Sequence, residues 1–426
     1  MIANIKGTEG FGAGTIKKTI HEGSESIMFS VLQETQYMYP FKSSVREIVS
    51  NCLDSITERD NSLKILSGEL KVEDLYIEKE GTEMADSGFD PSYYDPKWLS
   101  DDPKVYITYI ENDTQERDRI MFKDYGVGLG KERLINYFSL GFSSKRKSKN
   151  QLGSFGLGAK SLLATGVDFY TVTSAYNGKV FSFNIYKDHI ESAITKFEED
   201  GSTNKEHVFF EGTEKEYRTF YRETQEKNHV IVECDVKRFR KNDFITSIEN
   251  QLGYIDGIEL RIKDGEYPMS SGVIREISNE ALIKQGNIIV GKADYYSVPQ
   301  ILLKPGDESK VCISYGPINF EELEMKKYSG NVCFVLNINQ VDVTPSRESV
   351  IWNNKTREAI KTAFELAQKE AEKIISNKLA NVDNLVDYYR SFEDIVNGAA
   401  GDTGLNELYK IIDKKELATT FREFDL

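Results

Sequence analysis

Apolar residues recur along this chain at two spacings, and the change from one to the other marks out its elements. Ile48, Val49, Cys52, Leu53 and Ile56 fall on one helical face. Glu47, Asn51 and Asp54 stand at i, i+4 and i+7 on the other face. A second helix is predicted over 355–375, with a core stripe of Ala359, Ile360, Ala363, Phe364, Ala367, Ala371 and Ile374. Elsewhere the period drops to two, and strands are predicted at 105–110, 119–123, 169–175, 179–186, 230–234, 311–314 and 332–337. Asn112-Asp113 marks a polar turn between the first two strands. Asn177-Gly178 is a strong hairpin signal between the next two.

Punctuation divides the chain into four. Residues 1–43 form a lead-in carrying Gly10, Gly12 and Gly14. Residues 44–236 read as one α+β domain with helices layered on a mixed sheet. It is interrupted at about 67–102 by an acidic insertion with Pro91 and Pro96. Residues 237–381 read as a second α/β domain. Residues 382–426 form a tail, with Gly398, Gly401 and Gly404 in a loop before a short amphipathic segment. No solenoid-type repeat is evident.

Three segments carry candidate chemistry. In the first, Glu47 is placed to polarise a water, and Asn51 offers the hard oxygen that Mg2+ prefers. A solvated polar face would show the same row. In the second, a strand ends at Asp124 and breaks into Gly126, Gly128 and Gly130. There a buried carboxylate can accept from an adenine amino group, and glycine lets a ligand approach the main chain. An ordinary Asp-Gly turn reads alike. The third, Gly153-Ser-Phe155-Gly156-Leu-Gly158-Ala-Lys160-Ser161, comes close to a P-loop, but Ala159 pushes the lysine one place out of register. The dinucleotide fingerprint is absent too, since Ser161 stands where its third glycine belongs. A glycine turn opening a helix through Leu162, Leu163 and Ala164 is the better reading, its free N–H groups facing phosphate.

Composition adds limits. The 426 residues suffice for two or three domains with real cores. A formal charge of −15 disfavours nonspecific nucleic-acid binding over the whole surface. The four cysteines form no Cys-x-x-Cys pair, which points to a reducing compartment and away from zinc. No apolar run is long enough to span a membrane, and no signal peptide is recognisable.

Taken in order, the three segments resemble the site of the GHKL ATPases, which comprise gyrase, the ninety-kilodalton heat-shock chaperones, histidine kinases and MutL. The shared motifs are Glu-x-x-x-Asn-x-x-Asp, Asp-x-Gly-x-Gly and Phe-Gly-x-Gly. The runs Val45–Asn51, Gly153–Ser161 and Asp342–Ser349 also resemble the bacteriophage rIIA lysis-inhibition proteins, from about Ser44 to about Ile375. The resemblance implies a Bergerat-type ATP-binding sandwich, a transducer-like α/β domain and a short helical tail. It implies ATP and Mg2+ as ligands. Glu47 would be the general base, Asn51 the metal ligand and Asp124 the adenine reader. Asp54, Gly126, Gly128, Gly153, Phe155, Gly156, Gly158 and Lys160 would line the nucleotide. A lid would span 140–152 with the basic run Lys145–Lys149, and the lead-in would strap onto a partner subunit. Lys227-Asn228 stands where the family carries Gly-Thr, so Asn228 would replace the threonine; Gly212-Thr213 lies upstream. Arg347 would reach the terminal phosphate from a Ser-Arg-Glu turn, unless it only forms a surface ion pair. The rIIA proteins continue further, so this chain is expected to be a short relative or part of a longer one.

Four functions compete on this footing. The favoured one is an ATP-hydrolysing switch that closes as a homodimer and acts on an unknown protein partner. In a phage it would work in the host cytoplasm, with membrane association through a partner left open. A nucleic-acid clamp of topoisomerase or mismatch-repair type is disfavoured by the acidic balance. A nucleotide-binding module without turnover is opposed by Glu47. A histidine kinase needs a phosphoacceptor on a helical hairpin, and only His21 lies upstream.

Overall fold

The computed structural model describes residues 4–5, 16–17, 37–75, 94–112, 117–131, 133–134, 158–187, 193–198, 200–206, 217–252, 255–264, 273–276, 281–286, 288–291, 301–304, 310–314, 323, 332–337, 340–344, 348–382, 384–399 and 401–412. Strands β1 (Asn4–Ile5) and β2 (Ile16–Lys17) pair with each other. Helix α1 runs from Pro40 to Ser67. Proline suits its first turn, where the missing N–H has no helical partner. Gly68 ends it in the left-handed region at φ 80, returning its N–H to the carbonyl of Ile65.

The large sheet is built from β3 (Val105–Glu111), β4 (Arg117–Asp124), β5 (Phe169–Tyr176), β6 (Lys179–Tyr186), β7 (Ala193–Phe197), β8 (Thr203–Glu206), β9 (Arg222–Glu223), β10 (His229–Lys237), β11 (Ile258–Asp264) and β12 (Val273–Glu276). Its order is β12-β11-β3-β4-β10-β5-β6-β7-β8, with β9 pairing β6. Among the described residues, only β11 with β3 is parallel. Val105, Ile107 and Tyr109 of β3 are buried while their neighbours are less so, the alternation of a strand with one well-covered face. Asn177 and Gly178 join β5 to β6 with φ values of 46 and 79, as the hairpin signal predicts.

Helix α1, helix α2 (Lys241–Leu252) and a 3-10 turn at Gly158–Thr165 pack together over this sheet. Phe41 and Phe244 meet edge to face, with centroids 4.9 Å apart. The boundary expected near residue 236 therefore falls inside this assembly. α2 lies on α1, and β11 extends the sheet beyond β3, because its Ile258 and Leu260 find the same core, with β12 pairing outside it. The result is a mixed α+β fold with a large, mostly antiparallel sheet.

A second sheet follows, made of β13 (Ala281–Gln285), β14 (Ile288–Gly291), β15 (Ile301–Lys304), β16 (Lys310–Ser314) and β17 (Val332–Asn337). Its order is β13-β14-β17-β16-β15, antiparallel throughout. Strands β14 and β17 are buried on both faces. Ile288, Val290, Val332, Phe334 and Leu336 enter one core, while Ile289 and Cys333 enter the core of the large sheet. The period of two divides the strands between the two cores.

Helix α3 (Asn354–Ala380) covers the first of these faces, its start capped by the Asn353 side chain, which accepts from the Thr356 N–H at 2.9 Å. Ile360, Ala363, Phe364, Ala367 and Ala371 are buried as the stripe predicts. Ile375 is buried with them, and Ala359 and Ile374 lie at the margin. The expected glycine loop and tail differ. Helices α4 (Leu385–Asn397) and α5 (Thr403–Ile411) place Tyr388, Ile395, Leu408 and Ile411 in the α3 core. Gly404 lies inside α5, and Gly398 ends α4 at φ 66. The two helices form here because α3 offers their apolar faces a surface to bury against.

Candidate functional site

The site is built around the polar row of α1, which is not a solvated face. Glu47 is 7% exposed, Asp54 is fully buried and Asn51 is half-buried. Arg46 Nε lies 3.6 Å from Glu47 Oε1. On the other side is the backbone of Gly158, where an added Cβ would stand 2.6 Å from Glu47 Oε2. Only glycine leaves the carboxylate where it is. The Ser161 hydroxyl donates to the Gly158 carbonyl (2.8 Å), and the Ser44 hydroxyl donates to the Ser161 carbonyl (2.6 Å). These bonds stitch the 158–165 turn onto the first turns of α1.

Asp124 ends β4, an interior strand between β3 and β10, and is 2% exposed. Its Oδ1 accepts the N–H of Gly126 at 2.9 Å, closing an Asx turn. Gly126 packs on α1, where an added Cβ would come within 2.5 Å of the Ser55 carbonyl carbon. The following turn is fastened at several points. Val127 N–H donates to Ser55 Oγ (3.2 Å), and Leu129 N–H donates to Ser174 Oγ (2.7 Å). Gly128 has φ 74 and backs onto the carbonyl of Ala175. Buried Arg59 donates through Nη1 to the carbonyls of Tyr125 (2.8 Å) and Asp102 (2.6 Å).

Asn228 is fully buried beside this turn. Its Oδ1 accepts the Asn177 N–H (2.8 Å), its Nδ2 donates to the Val127 carbonyl (2.9 Å), and its own N–H donates to the Trp98 carbonyl (2.8 Å). The carboxamide braces the glycine turn, the hairpin and the 94–100 segment against one another.

One cluster escaped the sequence reading. Glu58, 5% exposed, accepts from the Tyr94 hydroxyl (2.6 Å) and pairs with Arg133, whose Nη1 lies 3.0 Å from Oε2. Burial, with Glu58 beside it, holds the Tyr94 hydroxyl protonated well above its usual range. Burial opposes the Arg133 charge, but Glu58 outweighs it and raises the pKa. This cluster ties the far end of the glycine turn to α1. Glu58 continues the row of Glu47, Asn51 and Asp54 by four residues, so its helical spacing was the available signal. Nothing local announced Tyr94, the closing part of the expected insertion.

Gly153, Phe155, Gly156, Arg347 and the expected lid at 140–152 lie outside the described residues. Lys160 falls in the 158–165 turn, and only its backbone is described. No group of three or more His, Cys, Asp or Glu stands together as a metal cage among the described residues. The half-buried Asn51 amide fits the alternative, one hard protein oxygen for an ion otherwise held by phosphates and water, as Mg2+ is.

The structure thus places a buried carboxylate, Glu47, against a glycine-opened turn, on the helix that packs against a second, Asp-led glycine turn in an α+β protein. Residues 39–209 match the family described as histidine kinase-, DNA gyrase B- and HSP90-like ATPases. The match covers less than half of the chain. It supports the GHKL superfamily, and with it ATP binding. Domains of this superfamily bind ATP, usually with Mg2+, and hydrolyse it in general, though some members only bind it. No curated protein matches the chain. No helix among the described residues is long and apolar enough to cross a membrane.

Proposed function

We propose that this chain is a Mg2+-dependent ATPase that works as a conformational switch. The observation that carries the reading is Glu47, a carboxylate held between Arg46 and Gly158 one helical turn from Asn51. Catalysis needs a base whose position does not drift, and this one is fixed by packing on both sides. Asp124 would read the adenine amino group, Asn51 would ligate Mg2+, and Asp54, Gly126, Gly128, Gly158 and Lys160 would line the nucleotide. In this reading the ATP-binding unit runs from about 39 to about 276, because the large sheet does. The second sheet with α3 acts as a transducer and carries Arg347 toward the terminal phosphate. Closure as a homodimer and a role like that of phage rIIA proteins in lysis inhibition or host-defence evasion complete the proposal. They are supported by the runs at 45–51, 153–161 and 342–349.

Glu47→Ala tests it. Hydrolysis should fall about 10²- to 10⁴-fold while ATP affinity holds, since the base acts on the water and not on the bound nucleotide. A wild-type chain that binds ATP but releases no ADP would instead be a binding module.

A further inference from the structure

A line of hydrogen bonds runs from the second sheet's connection to α3 back to Arg46, and an ion pair carries it on to Glu47. Glu348 lies between Val343 and Val350, which form an isolated antiparallel bridge. Its Oε2 accepts the Met38 N–H at 2.9 Å, and its Oε1 accepts the Tyr39 N–H at 2.9 Å and the Ser43 hydroxyl at 2.8 Å. Ser43 Oγ in turn accepts from Arg46 Nη2 at 3.2 Å, and Arg46 Nε stands 3.6 Å from Glu47 Oε1. Gln251 of α2 receives the remaining reach of Arg46 through Nη1, at 3.5 Å. Ser43, Arg46 and Glu47 are all buried.

Two features make this more than a surface contact. Helix α1 has no side-chain cap of its own at Tyr39, so Glu348 supplies the negative charge that a helix start favours, from 310 residues away in the chain. The Ser43 hydroxyl, by donating to Glu348, turns a lone pair toward Arg46 and so fixes a donor of the guanidinium that flanks the Glu47 carboxylate.

We propose that Glu348 is a positioning residue, which transmits the placement of its own segment, residues 348–350, to the Glu47 carboxylate through Ser43 and Arg46. This rests on the reading of Glu47 as the base for hydrolysis. While the segment is docked, Arg46 is held and Glu47 is oriented. When the segment moves away, the Ser43 hydroxyl is released to rotate and Arg46 loses a fixed partner. The second sheet thereby governs turnover without touching the nucleotide.

Two variants separate the relay from the cap. Ser43→Ala breaks the relay but leaves Glu348 on the Met38 and Tyr39 N–H groups, whereas Glu348→Ala removes both. Each should lower kcat by roughly 5- to 150-fold, the range of ordinary coupling between sites. The ATP dissociation constant, from calorimetry, should change less than about threefold in each, because the interaction acts on the base and not on ground-state binding. Thermal unfolding should fall further for Glu348→Ala than for Ser43→Ala, because only the first also strips the Met38 and Tyr39 N–H groups of their acceptor. If Ser43→Ala turns over like the wild type, the relay is overturned while the ATPase reading stands. A wild-type chain that binds ATP without turnover overturns both.

Discussion

Asp124→Asn is the sharpest test of how the site would recognise its base. Asp124 is 2% exposed, and its Oδ1 is committed to the Gly126 N–H at 2.9 Å. In asparagine the amide oxygen must take that place, because an N–H needs an acceptor. The NH2 group then stands where Oδ2 was. An adenine amino group presents a donor, so donor would face donor in a site that water does not reach. The change loses a charge-assisted bond, about 1.5–3 kcal/mol, and leaves a buried donor unsatisfied, about 1–3 kcal/mol. With partial relaxation the net cost is roughly 2–4 kcal/mol, or about 30- to 1000-fold in dissociation constant. The turn itself keeps its hydrogen bond, so thermal stability should change little. Isothermal calorimetry with ATP measures the effect. Inosine triphosphate supplies the internal control, since it offers an acceptor at that position and should lose less. Equal ATP affinity in wild type and variant would refute the assignment of Asp124.

Other perturbations test the frame around the site. Arg59→Ala strips a charged donor from the Tyr125 and Asp102 carbonyls and should cost about 2–4 kcal/mol in urea unfolding. A loss under about 1 kcal/mol would show that Arg59 does not hold the glycine turn. His229 is 2% exposed, and burial lowers its pKa below the ordinary 6.5. The unfolded chain therefore binds this proton first on acidification. The contribution of His229 is complete above about pH 6.5 and is lost as the pH falls from there through the lowered folded-state value. Unfolding free energies at pH 7 and pH 5 should converge in His229→Gln relative to wild type, and an unchanged difference would contradict the burial argument.

Much of this protein was legible one element at a time. The 3.6-residue spacing of Ile48, Val49, Cys52, Leu53 and Ile56 located α1 and the side it buries, and the stripe from Ile360 to Ala371 located α3. Asn177-Gly178 located its hairpin, since the two-residue turn needs positive φ and these residues tolerate it. The order of the three glycine- and carboxylate-bearing segments was enough to suggest a nucleotide site. Each of these signals is local, because side-chain period and turn chemistry act between residues a few positions apart.

What only the tertiary structure decided involves residues that meet across the chain. The sequence left the polar row of α1 open to a solvated reading. Packing against Gly126 and Gly158 buried it. Residues 258–264 and 273–276 fell within the expected 237–381 domain and were not read as strands, yet they extend the first sheet, because a parallel neighbour such as β11 leaves no turn signal at its partner. Alternation at 332–337 showed which residues share a face, but not that both faces would be covered. Glu348 has no local signal of its role, yet it accepts from the N–H groups at the start of a helix 310 residues away. Periodicity records only which side of an element turns inward. Which partner it meets there depends on how the whole chain closes its cores, and no local pattern encodes that.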